Sequence, residues 1–356
     1  MGVRLSRVLV AAMAVSLAIV GLAPSQADAG LQSAVVMTRN VYLGADLTAA
    51  IGAESLDELY TAAADGFQNV VKTDFPSRVP LLAQEIADTS PDLVGLQEVA
   101  LWRVGPLDGP LTPAVDVAFD FLALLEAELA SIGEVYTVAV VQENFDVEIP
   151  ATVTSDGTFL FHDIRLTMHN VILVRDGVEF TNPQAAHFDT NATYPTIAGE
   201  LVDLRGWVSV DATMGKRPFR FVNTHLEPYI TPVRNVQAQE MIDGPLATNL
   251  KVVAVGDFNT PPAGDASEAY NILMDPSNGK MSDVWPLVSD EPGYTCCQAA
   301  DLANLESEAT TRIDLILTRT SAVKTISVQL VGEEAKTSNG LWASDHFGVV
   351  AELTIP

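Results

Sequence analysis

Cysteine is almost absent from this chain of 356 residues: there are two, adjacent at Cys296 and Cys297. A CysCys pair is too close for ligand spacing of the CxxC kind, so no structural zinc site is read here. In an exported chain the pair can form a vicinal disulfide, bond to another molecule, or stay as two buried thiols. Positive charge is also scarce, with 19 Lys and Arg against 46 Asp and Glu and a formal net charge of −27. Long-range repulsion then slows encounter with any polyanion, which argues against loose electrostatic binding to nucleic acid or an anionic membrane. It does not exclude such substrates, because a bound divalent cation reverses the local field where a phosphate would sit. After residue 22 no run is apolar for long enough to span a bilayer, so the mature chain is expected to have no transmembrane segment. Repeats, low-complexity tracts and linker-like stretches are missing too. Residues 30–356 therefore read as one large domain.

The first residues read as a leader. Arg4 and Arg7 precede an apolar run from Val8 to Leu22, and Ala27-Asp28-Ala29 places small residues at alternate positions. A signal peptide over 1–29, cleaved before Gly30, and a secreted product are expected. A membrane anchor fits less well, since the run is short and Pro24 with a polar stretch follows at once. Loss of Arg4, Arg7 and Asp28 removes two positive charges and one negative, leaving −28.

Strand candidates recur through the rest of the chain, interspersed with helices. Ala34 to Thr38 is a short apolar strand ending at Arg39 and Asn40. Asp46 to Lys72 reads as one or two helices and Pro76 to Ala87 as another, and Pro91 to Val99 returns to strand and delivers Glu98. Ala114 to Ser131 carries Val117, Phe121, Leu124 and Leu125 at helical spacing and reads as an amphipathic helix. Tyr136–Gln142, Thr158–Phe161 and Asn170–Arg175 are strand candidates, with Phe161 to Asn170 a polar connection between the last two. In it Arg165 is the candidate site residue, whereas His162 and His169, like the later His187, read as bystanders. Leu201–Asp211 and Arg217–Asn223 are strands joined by a turn at Met214-Gly-Lys216, and Thr231, Pro232 and Gly244 bound a helix. Lys251 to Val255 is a β-branched run that stops at Gly256, with Asp257 and Asn259 just beyond. Asp314 lies inside a strand from Thr311 to Thr318, and Asp345-His346 precedes the last strand, Val349 to Thr354.

Polar residues thus sit at the ends of strands drawn from the whole chain: Asn40, Glu98, Asn223 with His225, Asp257 with Asn259, Asp314, and Asp345 with His346. Any one of them has a bland reading as a turn or a satisfied core group. As an ordered set they are hard to explain by packing, because each costs desolvation if buried.

With these residues in view, the chain resembles the endonuclease/exonuclease/phosphatase superfamily, which includes DNase I-like nucleases, neutral sphingomyelinases and inositol polyphosphate phosphatases. The matching motifs are Arg39-Asn40, Leu96-Gln-Glu98, Asn223-Thr-His225, Gly256-Asp-Phe-Asn259, Arg312-Ile-Asp314 and Ser344-Asp-His346, in family order. The resemblance implies a four-layer αββα sandwich, two mixed β-sheets face to face with helices outside. It also implies metal-dependent hydrolysis of a phosphate ester: nucleic acid, phospholipid or inositol phosphate. Glu98, Asn40 and Asp345 would hold Mg²⁺ or Mn²⁺, which take hard oxygen ligands. His346 would act as base or electrostatic stabiliser with Asp314 on its other ring nitrogen. Asp257 and Asn259 would orient water and phosphate, and His225, supported by Asn223, would bond a phosphate oxygen. The family's mid-chain Tyr or Arg phosphate contact has no clear match; Arg165 is nearest, with Tyr136 and Arg175 behind it. Trp102 and Trp342 would line the pocket or pack in the core. Few basic residues are available to rim a nuclease cleft, and no paired-aromatic hairpin marks a membrane-binding sphingomyelinase; a nuclease is weakly favoured.

Overall fold

The structure, a computed structural model, describes residues 32–107, 112–155, 158–319 and 323–356. The leader expected over 1–29 lies outside the described residues. Gln32–Pro356 forms one unit.

The chain order is β1 (Gln32–Asn40), α1 (Thr48–Ile51), α2 (Leu56–Lys72), α3 (Phe75–Thr89), β2 (Leu93–Pro106), β3 (Asp116–Asp120), α4 (Phe121–Ser131), β4 (Tyr136–Ser155) and β5 (Thr158–Arg175). There follow β6 (Glu179–His187), β7 (Ala192–Thr196), β8 (Gly199–Asp203), β9 (Gly206–Met214), β10 (Arg217–His225), α5 (Thr231–Asp243) and β11 (Lys251–Asp257). The last elements are α6 (Glu268–Met274), β12 (Met281–Asp283), β13 (Asp314–Arg319), β14 (Lys324–Val331) and β15 (Gly348–Ile355).

One sheet has the order β14-β15-β1-β2-β5-β4, with β3 also on β2, and the other has the order β12-β13-β11-β10-β9-β6. Side chains alternate along a strand, and that alternation sorts the layers. Val36, Leu93 and Ile172 from the first sheet meet Val253, Val255, Phe221 and Ile316 from the second in a shared core. Their neighbours face outward: Met37, Val94 and Leu96 pack with Phe67 of α2, Leu82 of α3 and Phe121 of α4. On the other side Val252, Ala254 and Leu315 pack with Ala238 and Met241 of α5 and Leu273 of α6. The expected four-layer αββα sandwich is what forms.

Local expectations change, among them the strand expected over 201–211, which breaks into β8 and β9 in different sheets. The helix expected over 114–131 begins only at Phe121, because Asp120 caps it by accepting the Ala123 N–H at Oδ1, and residues 116–120 pair with β2 as an edge strand. The connection expected over 161–170 is the middle of β5. Ile164, Leu166 and Met168 alternate into the core there, and the pairing of β5 with β4 runs through the whole stretch as far as Thr158.

Strand direction prepares the site. β1 and β2 are parallel, as are β10 and β11, while β15 and β13 run antiparallel to β1 and β11. The last residues of β1, β10 and β11, the middle of β2, the first residue of β13 and the segment just before β15 therefore arrive at one end of the sandwich. Asn223 helps lock the two sheets there: its amide N–H groups donate to the Leu96 and Val171 carbonyls at 2.8 and 3.0 Å, and its Oδ1 accepts from Gln97 Nε2 at 2.6 Å. This corrects its expected role in phosphate binding. Asn223 is fully buried with its polar atoms taken up between the sheets, and it does not line the pocket.

Candidate active site

The strand ends enclose a pocket of about 310 Å³ lined by Glu98, His225, Asp257, Asn259, Asp345 and His346 among others. Register brings several of these together directly, since His225 pairs with Asp257 across β10 and β11, and Asp257 with Asp314 across β11 and β13. Glu98 sits where β2 slips its register against β5, with φ +56°, and Asn259 has φ +50°. Non-glycine residues in the left-handed region carry strain, and here it turns a carboxylate and an amide out of the ladder toward the pocket.

His346 Nδ1 lies 2.7 Å from Asp314 Oδ2, and its Nε2 lies 3.8 Å from Asp257 Oδ2 and 4.0 Å from Asp345 Oδ1. Burial disfavours charge on His346, but Asp314 and Asp345 outweigh it and hold the imidazole well above its ordinary value, so it is charged. His225 behaves oppositely. Burial and then the Arg205 charge hold it well below the usual range, and its Nδ1 has no partner. The result is one neutral and one charged imidazole in one pocket.

Among the acids, burial and the facing Asp314 push the Asp257 carboxyl up to about 7. Burial, opposed by His346, pushes Asp345 up to about 6. Ligand atoms of Glu98, His225 and Asp257 lie within 4.8 Å of one another. Crowded, buried carboxylates of this kind, rich in oxygen donors, fit a hard divalent cation, whose charge would return them to the ionised form.

Asn40 differs from its expected role as a ligand. Its amide nitrogen donates to Glu98 Oε1 at 2.9 Å and Asp257 Oδ2 at 3.2 Å, while its Oδ1 accepts the Tyr42 N–H at 3.0 Å. The donor end faces the carboxylates, so Asn40 positions them, and Glu98, Asp257 and Asp345 are left as the oxygen donors. Asn259 donates its N–H to Asp257 Oδ1 at 2.9 Å, which fixes that carboxylate from the other side.

Arg165 is corrected: it is not at the site. Its guanidinium pairs with Asp146 across β4 and β5, with Nε 2.9 Å from Oδ1, because both strands extend well past the pocket. Tyr136 and Arg175 also bond elsewhere, to the Pro91 and Ser90 carbonyls. Trp102 and Trp342 are buried; one donates to the Leu43 carbonyl and the other packs on Phe347.

The cation in the pocket is Arg205, which sequence reasoning missed. It is 7 % exposed, its Nε bonds Asp203 Oδ2 at 2.9 Å, and its Nη1 has no partner. The signal was available: Leu201-Val-Asp-Leu-Arg-Gly-Trp-Val208 is an apolar run carrying two opposite charges, the same anomaly that marks Glu98. Tyr42, Tyr194 and Tyr229 also line the pocket, and no strand-end motif points to them. Cys296 and Cys297 are disulfide-bonded to each other, and Cys297 Sγ lies 4.0 Å from His346 Nε2. Their segment is tied to the residues around His346 and to the start of β13: Gln298 N–H donates to the Asp345 carbonyl, and Thr295 Oγ1 accepts the Asp314 N–H.

In comparison with known proteins, the model of the Endonuclease/Exonuclease/phosphatase family matches residues 75–346. No curated protein matches the sequence. Among solved structures, an endonuclease/exonuclease/phosphatase from Bacteroides vulgatus is similar with TM-score 0.54 at 19% identity, covering 91% of this chain and 99% of that one. A family protein from Leptotrichia buccalis gives TM-score 0.54 at 15% identity, over 90% and 99% of the two chains. D. rerio TDP2 complexed with a single-strand DNA product gives 0.51 at 17%, over 90% and 98%. Likeness at these identities shows the fold alone.

Proposed function

The chain belongs to the endonuclease/exonuclease/phosphatase family, and on that premise we propose that it is a divalent-metal-dependent phosphoesterase with this pocket as its active site. One observation carries the proposal. A charged His346 backed by Asp314, a neutral His225, the cationic Arg205 and the carboxylates of Glu98, Asp257 and Asp345 converge within a single cavity. Glu98, Asp257 and Asp345 would hold Mg²⁺ or Mn²⁺, which when bound supplies positive charge for the developing phosphorane oxygens.

The remaining roles follow from this chain's own side chains. His346 Nε2–H, kept protonated by Asp314, donates to a phosphate oxygen and offsets its growing charge. His225 and Arg205 each have a nitrogen without a partner, and these offer further contacts to the non-bridging oxygens. Asp257, fixed by Asn40 and Asn259, orients the attacking water and the phosphate.

On the substrate, the nuclease reading has the support of a structural neighbour solved with a single-strand DNA product. Against it, Arg205 is the one Lys or Arg lining the pocket among the described residues. That lining suits a phosphate at a chain end or on a small head group better than a tracked polyanion. The leader composition supports secretion. The test is hydrolysis of bis-p-nitrophenyl phosphate, single-strand DNA, sphingomyelin and an inositol polyphosphate by the mature protein, with Mg²⁺ and then with EDTA. EDTA-sensitive cleavage is expected; a folded, metal-binding protein that cleaves none of them would refute the assignment.

A further inference from the structure

Glu227 has no part in the roles assigned so far, yet it is fully buried just beyond His225 and the end of β10. Its Oε1 accepts from the Tyr194 hydroxyl at 2.6 Å and from the Tyr229 and Ile230 N–H groups at 2.9 and 3.1 Å. Its own backbone is held as firmly. Gln237 Oε1 accepts the Glu227 N–H at 2.8 Å, and Arg234 donates to the Glu227 carbonyl at 2.9 Å. Burying a carboxylate is costly unless donors satisfy it, and here the donors come from two sides of the pocket, the β7–β8 hairpin and the turn after β10.

The hairpin is a two-stranded sheet of its own, in which Ala192 stands opposite Asp203 and Tyr194 opposite Leu201. Alternation puts those side chains on one face, and Tyr194, Leu201 and Asp203 line the pocket. The other face is open to solvent at Thr193 and Val202. The hairpin is therefore held from the pocket side, with the Tyr194–Glu227 bond at its middle. Arg205 follows directly after β8. Asp203 Oδ2 holds its Nε at 2.9 Å and its Nη2 at 2.8 Å, which leaves Nη1 without a partner. A continuous series of contacts thus runs from Glu227 through Tyr194 and the hairpin register to Asp203 and Arg205.

We propose that Glu227 is a positioning residue for the phosphate-binding cation. By accepting the Tyr194 hydroxyl it seats the β7–β8 hairpin against the turn after β10, and so sets where Arg205 presents Nη1. Glu227 itself does not line the pocket. This rests on the phosphoesterase reading and adds the residue that places one of its phosphate contacts. A displacement of about 1 Å is enough to matter, because a hydrogen bond to the reacting group weakens steeply with distance and angle.

The test is a double-mutant cycle on kcat/KM for bis-p-nitrophenyl phosphate with Mg²⁺. Tyr194→Phe removes one hydroxyl from a half-buried ring and should lower kcat/KM by about tenfold, divided between kcat and KM as in Arg205→Ala. In the Arg205→Ala background the same change should cost no more than about twofold, since no guanidinium is left to position. Glu227→Ala should lower kcat/KM at least as much as Tyr194→Phe. Glu227→Gln keeps an acceptor for the Tyr194 hydroxyl and should restore most of that loss. Circular dichroism and thermal unfolding report whether each variant folds; if Glu227→Ala does not, the Tyr194–Arg205 cycle decides.

Parent-like kcat/KM in Tyr194→Phe or in Arg205→Ala, or losses that multiply in the double variant, would overturn the inference and leave the phosphoesterase reading standing. So would a Glu227→Gln variant as impaired as Glu227→Ala, which would assign the effect to charge and not to position. A parent protein that cleaves no phosphate ester would overturn both.

Discussion

Asp314→Asn separates catalysis from stability at this site. Asp314 is 1 % exposed, bonds His346 Nδ1 at 2.7 Å through Oδ2, and leaves Oδ1 without a partner. Asparagine keeps the shape but removes the charge that keeps His346 protonated. A net charge-assisted hydrogen bond contributes about 1.5–3 kcal/mol, so kcat should fall by at least about tenfold and by as much as ~150-fold. The fold should not suffer in the same way. Asp314 stands directly opposite Asp257 across β11 and β13, and its charge is among the causes that push the Asp257 carboxyl up to about 7. Removing one of two buried like charges relieves repulsion with Asp257 but also takes the anion from the buried His346 pair, and these effects oppose each other, so without metal the melting temperature should shift by no more than about 2 °C. The assay is steady-state hydrolysis of bis-p-nitrophenyl phosphate at saturating Mg²⁺, paired with thermal unfolding in EDTA. Two results would refute the reasoning: kcat within about threefold of the parent, or an activity loss that tracks a lowered melting temperature.

Three other outcomes test the remaining structure. Glu98→Gln should abolish Mg²⁺-supported turnover and weaken Mn²⁺ binding measured by calorimetry, with circular dichroism unchanged; retained Mn²⁺ affinity would remove Glu98 from the ligand set. Gly256→Ala should cost about 3 kcal/mol in urea unfolding, because φ is +151° there and a Cβ would collide with the Thr224 carbonyl on the neighbouring strand. Arg165→Ala should leave kcat and KM unchanged and lower stability near neutral pH by only about 0.5 kcal/mol, since the pair is screened by solvent. Burial raises the Asp146 carboxyl while hydrogen bonds from Arg165 and Thr167 lower it, with a net depression. The pair's stabilisation is therefore present above the unfolded value of about 3.9 and lost as pH falls through the depressed folded value, so parent and variant curves should merge in acid.

The packing also explains which arginines serve the fold. Arg39 and Arg78 are almost fully buried beside the site, yet neither lines the pocket. Arg39 pairs with Glu85 and donates to the His346 carbonyl, and Arg78 donates to the Val41, Tyr42, Thr73 and Ala343 carbonyls. Both stitch the segments that carry Asn40 and His346 to the helices behind them. Loss of either would act through the position of those residues.

What could be read from the chain alone was whatever violates a local pattern. A carboxylate or imidazole at the end of an apolar strand breaks the one-dimensional rule that buried runs are apolar, so Glu98, Asp257, Asp314 and His346 stood out, and their order identified the family and its layered fold. Roles that depend on what a side chain faces could not be read in this way. Asn223 and Asn40 are amides in matching motifs, but inter-sheet hydrogen bonds use up the first, and the second presents its donor end to the carboxylates. Arg165 and Arg205 are both arginines near strands of the middle third. Only the length of β4 and β5, which carries one beyond the pocket, and the break between β8 and β9, which turns the other into it, tells them apart. Local sequence sets desolvation cost and strand propensity, which act along the chain; the partner of each buried charge is set by strand order and register, which exist only once the sheets have closed on each other.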